Sequence, residues 1–128
     1  MSLVDANVVL RYLLEDHAEL SPRAAEILEQ QQVTLPIEAA CEVVYVLQKV
    51  YEVDRDTISQ RLTELVTEGL VRMDKPGIFL RALDCYRQRG LDFVDCLLVG
   101  YHLEEQQPII TFDDKLAKVI KAQARGGA

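Results

Sequence analysis

Short apolar runs alternate along this chain with stretches that repeat apolar residues at helical spacing. Leu3-Val4 runs into Asp5 and reads as a first strand, and Asn7 to Leu14 follows as a helix. Ser21-Pro22 opens a second helix as cap and first-turn proline. Val33 to Pro36, short, apolar and bounded by proline, is a second strand, and Ile37 to Tyr51 carries the long apolar stripe of a buried helix. Asp54 to Glu68 places Ile58, Leu62, Leu65 and Val66 on one face, and Gly69 ends it. Leu70 to Met73 is a third strand, and Pro76 to Arg89 is a helix stopped by Gly90. Phe93 to Glu105 is a helix with a strongly apolar centre, Pro108 to Phe112 a fourth strand, and Asp113 to Ala124 a closing helix. Strands separated by helices predict an α/β layer with a mainly parallel sheet. In such folds, sites form at the carboxyl ends of the strands.

The chain has 128 residues, one domain's worth, expected to span 1–124 with a frayed tail at 125–128. It is 49% apolar and 27% charged, an ordinary globular balance. No apolar run approaches a bilayer span, and the start MSLVDANVVL lacks a secretory n-region. Cys41, Cys85 and Cys96 have no ligand-like spacing and read as small core residues, in keeping with a reducing, cytoplasmic setting. The net charge of −7 argues against a broad basic nucleic-acid face. It leaves room for a site that gathers acids around a cation.

The positions of the acids sharpen that picture. Asp5 ends the first strand, and Asp113 and Asp114 follow IITF at the end of the fourth. Each could also serve only as a helix cap. Asp95 is the sole charge from Phe93 to Tyr101, although Asp92 as cap and Asp95 as first-turn acid is the plainer reading. Glu42 lies within AACEVVYVL, where Glu38 and Gln48 mark a polar edge that it could share. Converging carboxylates repel, and one takes up a proton unless a cation sits among them. An all-oxygen donor set suits Mg²⁺ or Mn²⁺, which can activate water for phosphoester hydrolysis.

The stretches VDANVVLRYLL, EAACEVVYVLQKVY, LDFVDCLLVGY and IITFDDKL occur in the order found in PIN-domain proteins. Over nearly its whole length the chain resembles that family, and most closely its VapC-like toxins. The resemblance implies a three-layer sandwich, with a mainly parallel four- to five-stranded sheet between helices. It implies that Asp5, Glu42, Asp95 and Asp113 form a catalytic quartet holding Mg²⁺ or Mn²⁺, with Asn7 and Thr111 steadying it. Asp92 and Asp114 lie beside the assigned acids, and either could be the true ligand or a stand-in, with Asp95 preferred over Asp92 for its apolar neighbours. The implied activity is endonucleolytic RNA cleavage, as the toxin of a toxin–antitoxin pair with a small antitoxin partner.

Arg11, on the helix after Asp5, is a candidate phosphate contact, whereas Lys115, Lys118, Lys121 and Arg125 read as a solvated face. His17 and His102 are set aside as catalytic groups, and Tyr12, Tyr45 and Tyr101 are expected in the core. Apolar surface beyond the needs of one core suggests a homodimer or an antitoxin groove. Two rivals stand beside the nuclease reading. One is a PIN-like binding module without catalysis. The other is a phosphatase using Asp5 as nucleophile, although DANVV lacks the second Asp such enzymes place two residues on.

Overall fold

The computed structural model describes residues 1–125, with side chains to residue 123. The expected frayed tail falls outside the described residues, except for the backbone of Arg125. The chain forms two compact units, Met1–Pro76 and Gly77–Ala128.

In the first unit the elements run β1 (Ser2–Leu3), α1 (Ala6–Leu14), α2 (Leu20–Gln30), β2 (Val33–Thr34), α3 (Ile37–Lys49) and α4 (Arg55–Thr67). β1 and β2 pair in parallel, with Ser2 opposite Val33 and Leu3 opposite Thr34. The ladder extends by one bridge, in which Leu35 N–H donates to Arg72 O at 2.8 Å and Arg72 N–H donates to Val33 O at 2.8 Å. α1 packs on α2 and α3, and α3 packs on α4. Val9, Val33, Leu35, Val43, Val44 and Ile58 are buried there, so the apolar stripes of the helices and the apolar strand residues share one core.

Local chemistry sets the ends of these helices. Asp5 caps α1, its Oδ1 accepting Val8 N–H at 3.1 Å, and Asp54 caps α4 through Thr57 N–H at 2.7 Å. Gly69, at φ 77°, closes α4, with Leu70 N–H on Leu65 O and Gly69 N–H on Val66 O. Only glycine takes that left-handed turn without steric cost. Ser21 does not cap α2 as expected, because the helix already starts at Leu20. His17 does the capping instead. Its Nδ1 accepts Leu20 N–H at 2.9 Å and Glu19 N–H at 3.3 Å, while Ser21 Oγ accepts His17 N–H at 3.2 Å.

The second unit holds α5 (Pro76–Gln88), α6 (Phe93–Glu105) and α7 (Asp114–Arg125). Phe93 meets Phe79 and Tyr86 edge-on, with ring centroids 5.7 Å and 5.8 Å apart. Gly100 lets α6 approach the first turn of α5, since a Cβ there would lie 2.7 Å from the carbonyl oxygen of Ile78. α6 also packs on α7.

The observed sheet is smaller than the expected four to five strands. Among the described residues it has two strands, with Leu70 to Met73 reduced to the single bridge at Arg72. Pro108 to Phe112 is not a strand, and Ile110 and Phe112 are fully exposed there. The other described elements of its unit are helices, which satisfy their backbone groups internally and offer no ladder to an extended segment. No described helix is long and apolar enough to cross a membrane.

Candidate metal centre

Of the predicted acids, two lie in the first unit. Asp5 is exposed at the end of β1 and spends Oδ1 on the α1 cap, which leaves Oδ2 for another ligand. The cap and a ligand role are therefore compatible in one side chain. Glu42 is exposed on α3, on one face with Glu38 and Tyr45, so the helix is not apolar all round at this acid. Asn7, in the first turn of α1, is exposed and lines a small cavity of about 130 Å³ with Val8, Arg11 and Arg23.

Asp92, Asp95, Asp113 and Asp114 lie in the second unit. Asp92 occupies the N-cap position of α6 yet makes no capping hydrogen bond with its side chain. Asp95 sits one turn on, half-buried. Burial, then the charge of Asp113, then that of Asp92 push its carboxyl above the usual carboxylate range. Three acids from α6 and the start of α7 thus share one electrostatic neighbourhood. Asp113 Oδ1 accepts Leu116 N–H at 2.9 Å and caps α7, and Asp113 N–H donates to Thr111 Oγ1 at 3.0 Å. Thr111 thereby fixes the turn that presents Asp113. Asp114, exposed, is the first residue of α7.

Among the described residues, no three or more His, Cys, Asp or Glu side chains are grouped so that they could hold a metal ion. The residues still fit a hard divalent cation. The fit is one of donor chemistry: all are carboxylate oxygens, the class of ligand a hard divalent cation takes. Mg²⁺ keeps several waters and commonly takes only one or two carboxylates from a protein, so a closed cage is not required.

Arg11 is not poised for phosphate. Its guanidinium donates to Asp16 at 2.9–3.0 Å and to the hydroxyl of Tyr51 at 3.3 Å, joining the last turn of α1 to the segment after α3. The hydroxyl of Tyr51, the leading cause, and the charge of Asp16 hold its pKa above the ordinary arginine value. Both histidines have backbone duties: His17 caps α2, and His102 Nδ1 pairs with Gln107 O at 2.8 Å after α6. Tyr45 is 62% exposed and so lies outside the core. Cys85 and Cys96 are buried, Cys41 is half-buried, and all three are thiols outside any disulfide. Lys115 is exposed, on the solvated face expected of it, and its Nζ also donates to Gly90 O at 2.7 Å. A contact between residues 25 apart, from a lysine and a glycine, has no local pattern by which sequence could reveal it.

The PIN domain family matches residues 2–122, and the chain belongs to that family. No curated protein and no solved structure matches it. PIN domains have an α/β fold, are generally nucleases, and typically use Mg²⁺ or Mn²⁺.

Proposed function

We propose that the protein is a Mg²⁺- or Mn²⁺-dependent endoribonuclease acting as the toxin of a toxin–antitoxin pair. In this reading residues 1–124 work as one catalytic domain with a four- to five-stranded parallel sheet. Asp5, Glu42, Asp95 and Asp113 supply the carboxylates, and Asn7 and Thr111 steady them. The observation that carries it is the PIN domain match over residues 2–122, supported by the upward push on Asp95 from burial first and then from Asp113 and Asp92. Like charges gathered on neighbouring helix starts cost stability and serve no packing purpose.

When bound, the cation lowers the pKa of water and stabilises charge on the phosphate. The chain's own contribution is orientation. Asp5 and Asp113 each anchor one carboxylate oxygen on a backbone N–H and keep the other for binding. Thr111 Oγ1, on the Asp113 N–H, holds the turn so that this carboxylate is presented in one direction. Asp92, not engaged in capping, adds negative charge beside Asp95. The wider assembly in this proposal is a homodimer in the cytoplasm, with a small antitoxin covering the acids.

The test is cleavage of a mixed RNA pool with Mn²⁺ or with EDTA, beside Asp5→Asn and Asp95→Asn. Cleavage that needs the metal and both acids is expected, and full activity of both variants would refute the assignment. Mn²⁺ titration separates the nuclease from a binding module, because only the nuclease gains stability from the ion.

A further inference from the structure

The three acids of the second unit come from two segments, Asp92 and Asp95 from the start of α6 and Asp113 from the turn before α7. Their mutual repulsion drives these segments apart in the absence of a cation. A hydrogen bond spans the same two segments. Lys115, in the first turn of α7, donates from Nζ to the carbonyl of Gly90, two residues before Asp92, at 2.7 Å. Gly90 is shaped for it: a Cβ there would lie 3.0 Å from Nζ and 3.9 Å from Cε. The partner is a carbonyl, so the ammonium holds the segments together without pairing with any of the acids. A lysine paired with Asp92 or Asp113 would compete with a metal for the carboxylate. A lysine on the neighbouring carbonyl does not.

We propose that Lys115 is a positioning residue, whose bond to the Gly90 carbonyl sets the spacing of Asp113 from Asp92 and Asp95. The role rests on the metal-binding reading above. It makes a prediction opposite in sign to that of simple charge. Removing a cation from beside an acidic site strengthens Mn²⁺ binding by Coulomb attraction alone, whereas removing the tie weakens it.

The experiment uses the full chain with Lys115→Met, which keeps the stem and loses the donor, and Gly90→Ala, which keeps the lysine and crowds its flexible end. Mn²⁺ binding is followed by the paramagnetic resonance of the free ion. Amide exchange is measured in EDTA at Cys96, whose N–H is bound to Asp92 O, and at Leu116, whose N–H is bound to Asp113 Oδ1. Both variants are expected to bind Mn²⁺ about tenfold more weakly and to exchange these amides several-fold faster. If Lys115→Met fails to fold, Gly90→Ala carries the test alone, because Gly90 has no left-handed φ that alanine would strain. Wild-type protein that binds Mn²⁺, with variants that bind as tightly or more tightly, overturns this inference alone. Unchanged exchange overturns it too. Wild-type protein that takes up no Mn²⁺ overturns the metal reading and this role with it.

Discussion

Asp95→Asn should make the metal-free protein more stable and the metal-loaded protein comparatively less so. Asp92 and Asp95 are an i,i+3 like-charge pair on a helix, a placement worth roughly 0.2–0.5 kcal/mol of destabilisation. Asp113 adds a comparable repulsion, because its charge acts on Asp95 more strongly than that of Asp92. The helix dipole opposes this, favouring an acid in the first turn of α6 by roughly 0.3–1 kcal/mol. The upward push on the carboxyl decides the sign: burial and like charges outweigh the dipole. The two repulsions and the dipole nearly cancel, so the cost of burying the charge leaves a small net gain in EDTA, below about 1 kcal/mol and so under about 4 °C in Tm for a domain of this size. With Mn²⁺ at about a hundred times its Kd, the wild type gains about 2.7 kcal/mol, and the variant, short of one anionic ligand, gains much less. The order of the two melting curves therefore inverts between EDTA and Mn²⁺. The pH dependence follows from the same direction of shift. A carboxyl with a raised folded-state pKa keeps its proton in the folded state after the unfolded chain has lost it, so folded protein loses stability as pH rises through that window. In EDTA the wild type should show this loss, and Asp95→Asn should lack it. Thermal melts in both buffers across the carboxylate range test the reasoning. A variant less stable than wild type in EDTA, or one that keeps the full Mn²⁺ gain, refutes it.

Asp5 separates capping from catalysis. Asn caps a helix as well as Asp does, so Asp5→Asn should abolish RNA cleavage at unchanged Tm, while Asp5→Ala should also lose about 1 kcal/mol in a denaturant melt. Phe79→Ala removes a fully buried ring and its edge contact with Phe93, and urea titration should show a loss of about 3–5 kcal/mol. Asp54 titrates with the opposite sign to Asp95. The Thr57 backbone N–H lowers its carboxyl, so its cap stabilises above the unfolded value and is lost as pH falls through the folded one. Acid melts of wild type and Asp54→Ala, which has no capping group, should differ most above that window and converge below it. Tyr51→Phe removes one partner of Arg11, and a fall in Tm without a change in Mn²⁺ affinity is expected if that arginine is a structural tie.

Much of the helical framework was legible because local rules set it. Among the described residues, six of the helices were placed within a residue or two at both ends and α2 at its start, and Asp5, Asp54 and Gly69 end their helices through groups close by in sequence. α2 shows the limit. The Ser-Pro pair carries a start signal, but His17 reaches the free N–H groups first and moves the boundary to Leu20. The strands were less legible, since a strand exists only through a partner. The apolar run Pro108 to Phe112 satisfies every local criterion and is still unpaired, with Phe112 exposed.

For the site, sequence by itself determined that Asp5, Asp92, Asp113 and Asp114 stand at helix starts, because spacing along the chain fixes those places, whereas the strand expected to lead into Asp113 is absent. It also carried the family, through four short motifs in order across residues 2–122. Only tertiary structure decided what each side chain meets. It joined Arg11 to Tyr51, 40 residues away, and so removed the arginine from the list of free cations. It set Lys115 on Gly90 and gave Asp95 the company of Asp113. Caps and helical faces depend on neighbours within one or two turns, which the order of residues specifies directly. Charge pairs and long hydrogen bonds depend on how helices pack, and no pattern local to either partner encodes that.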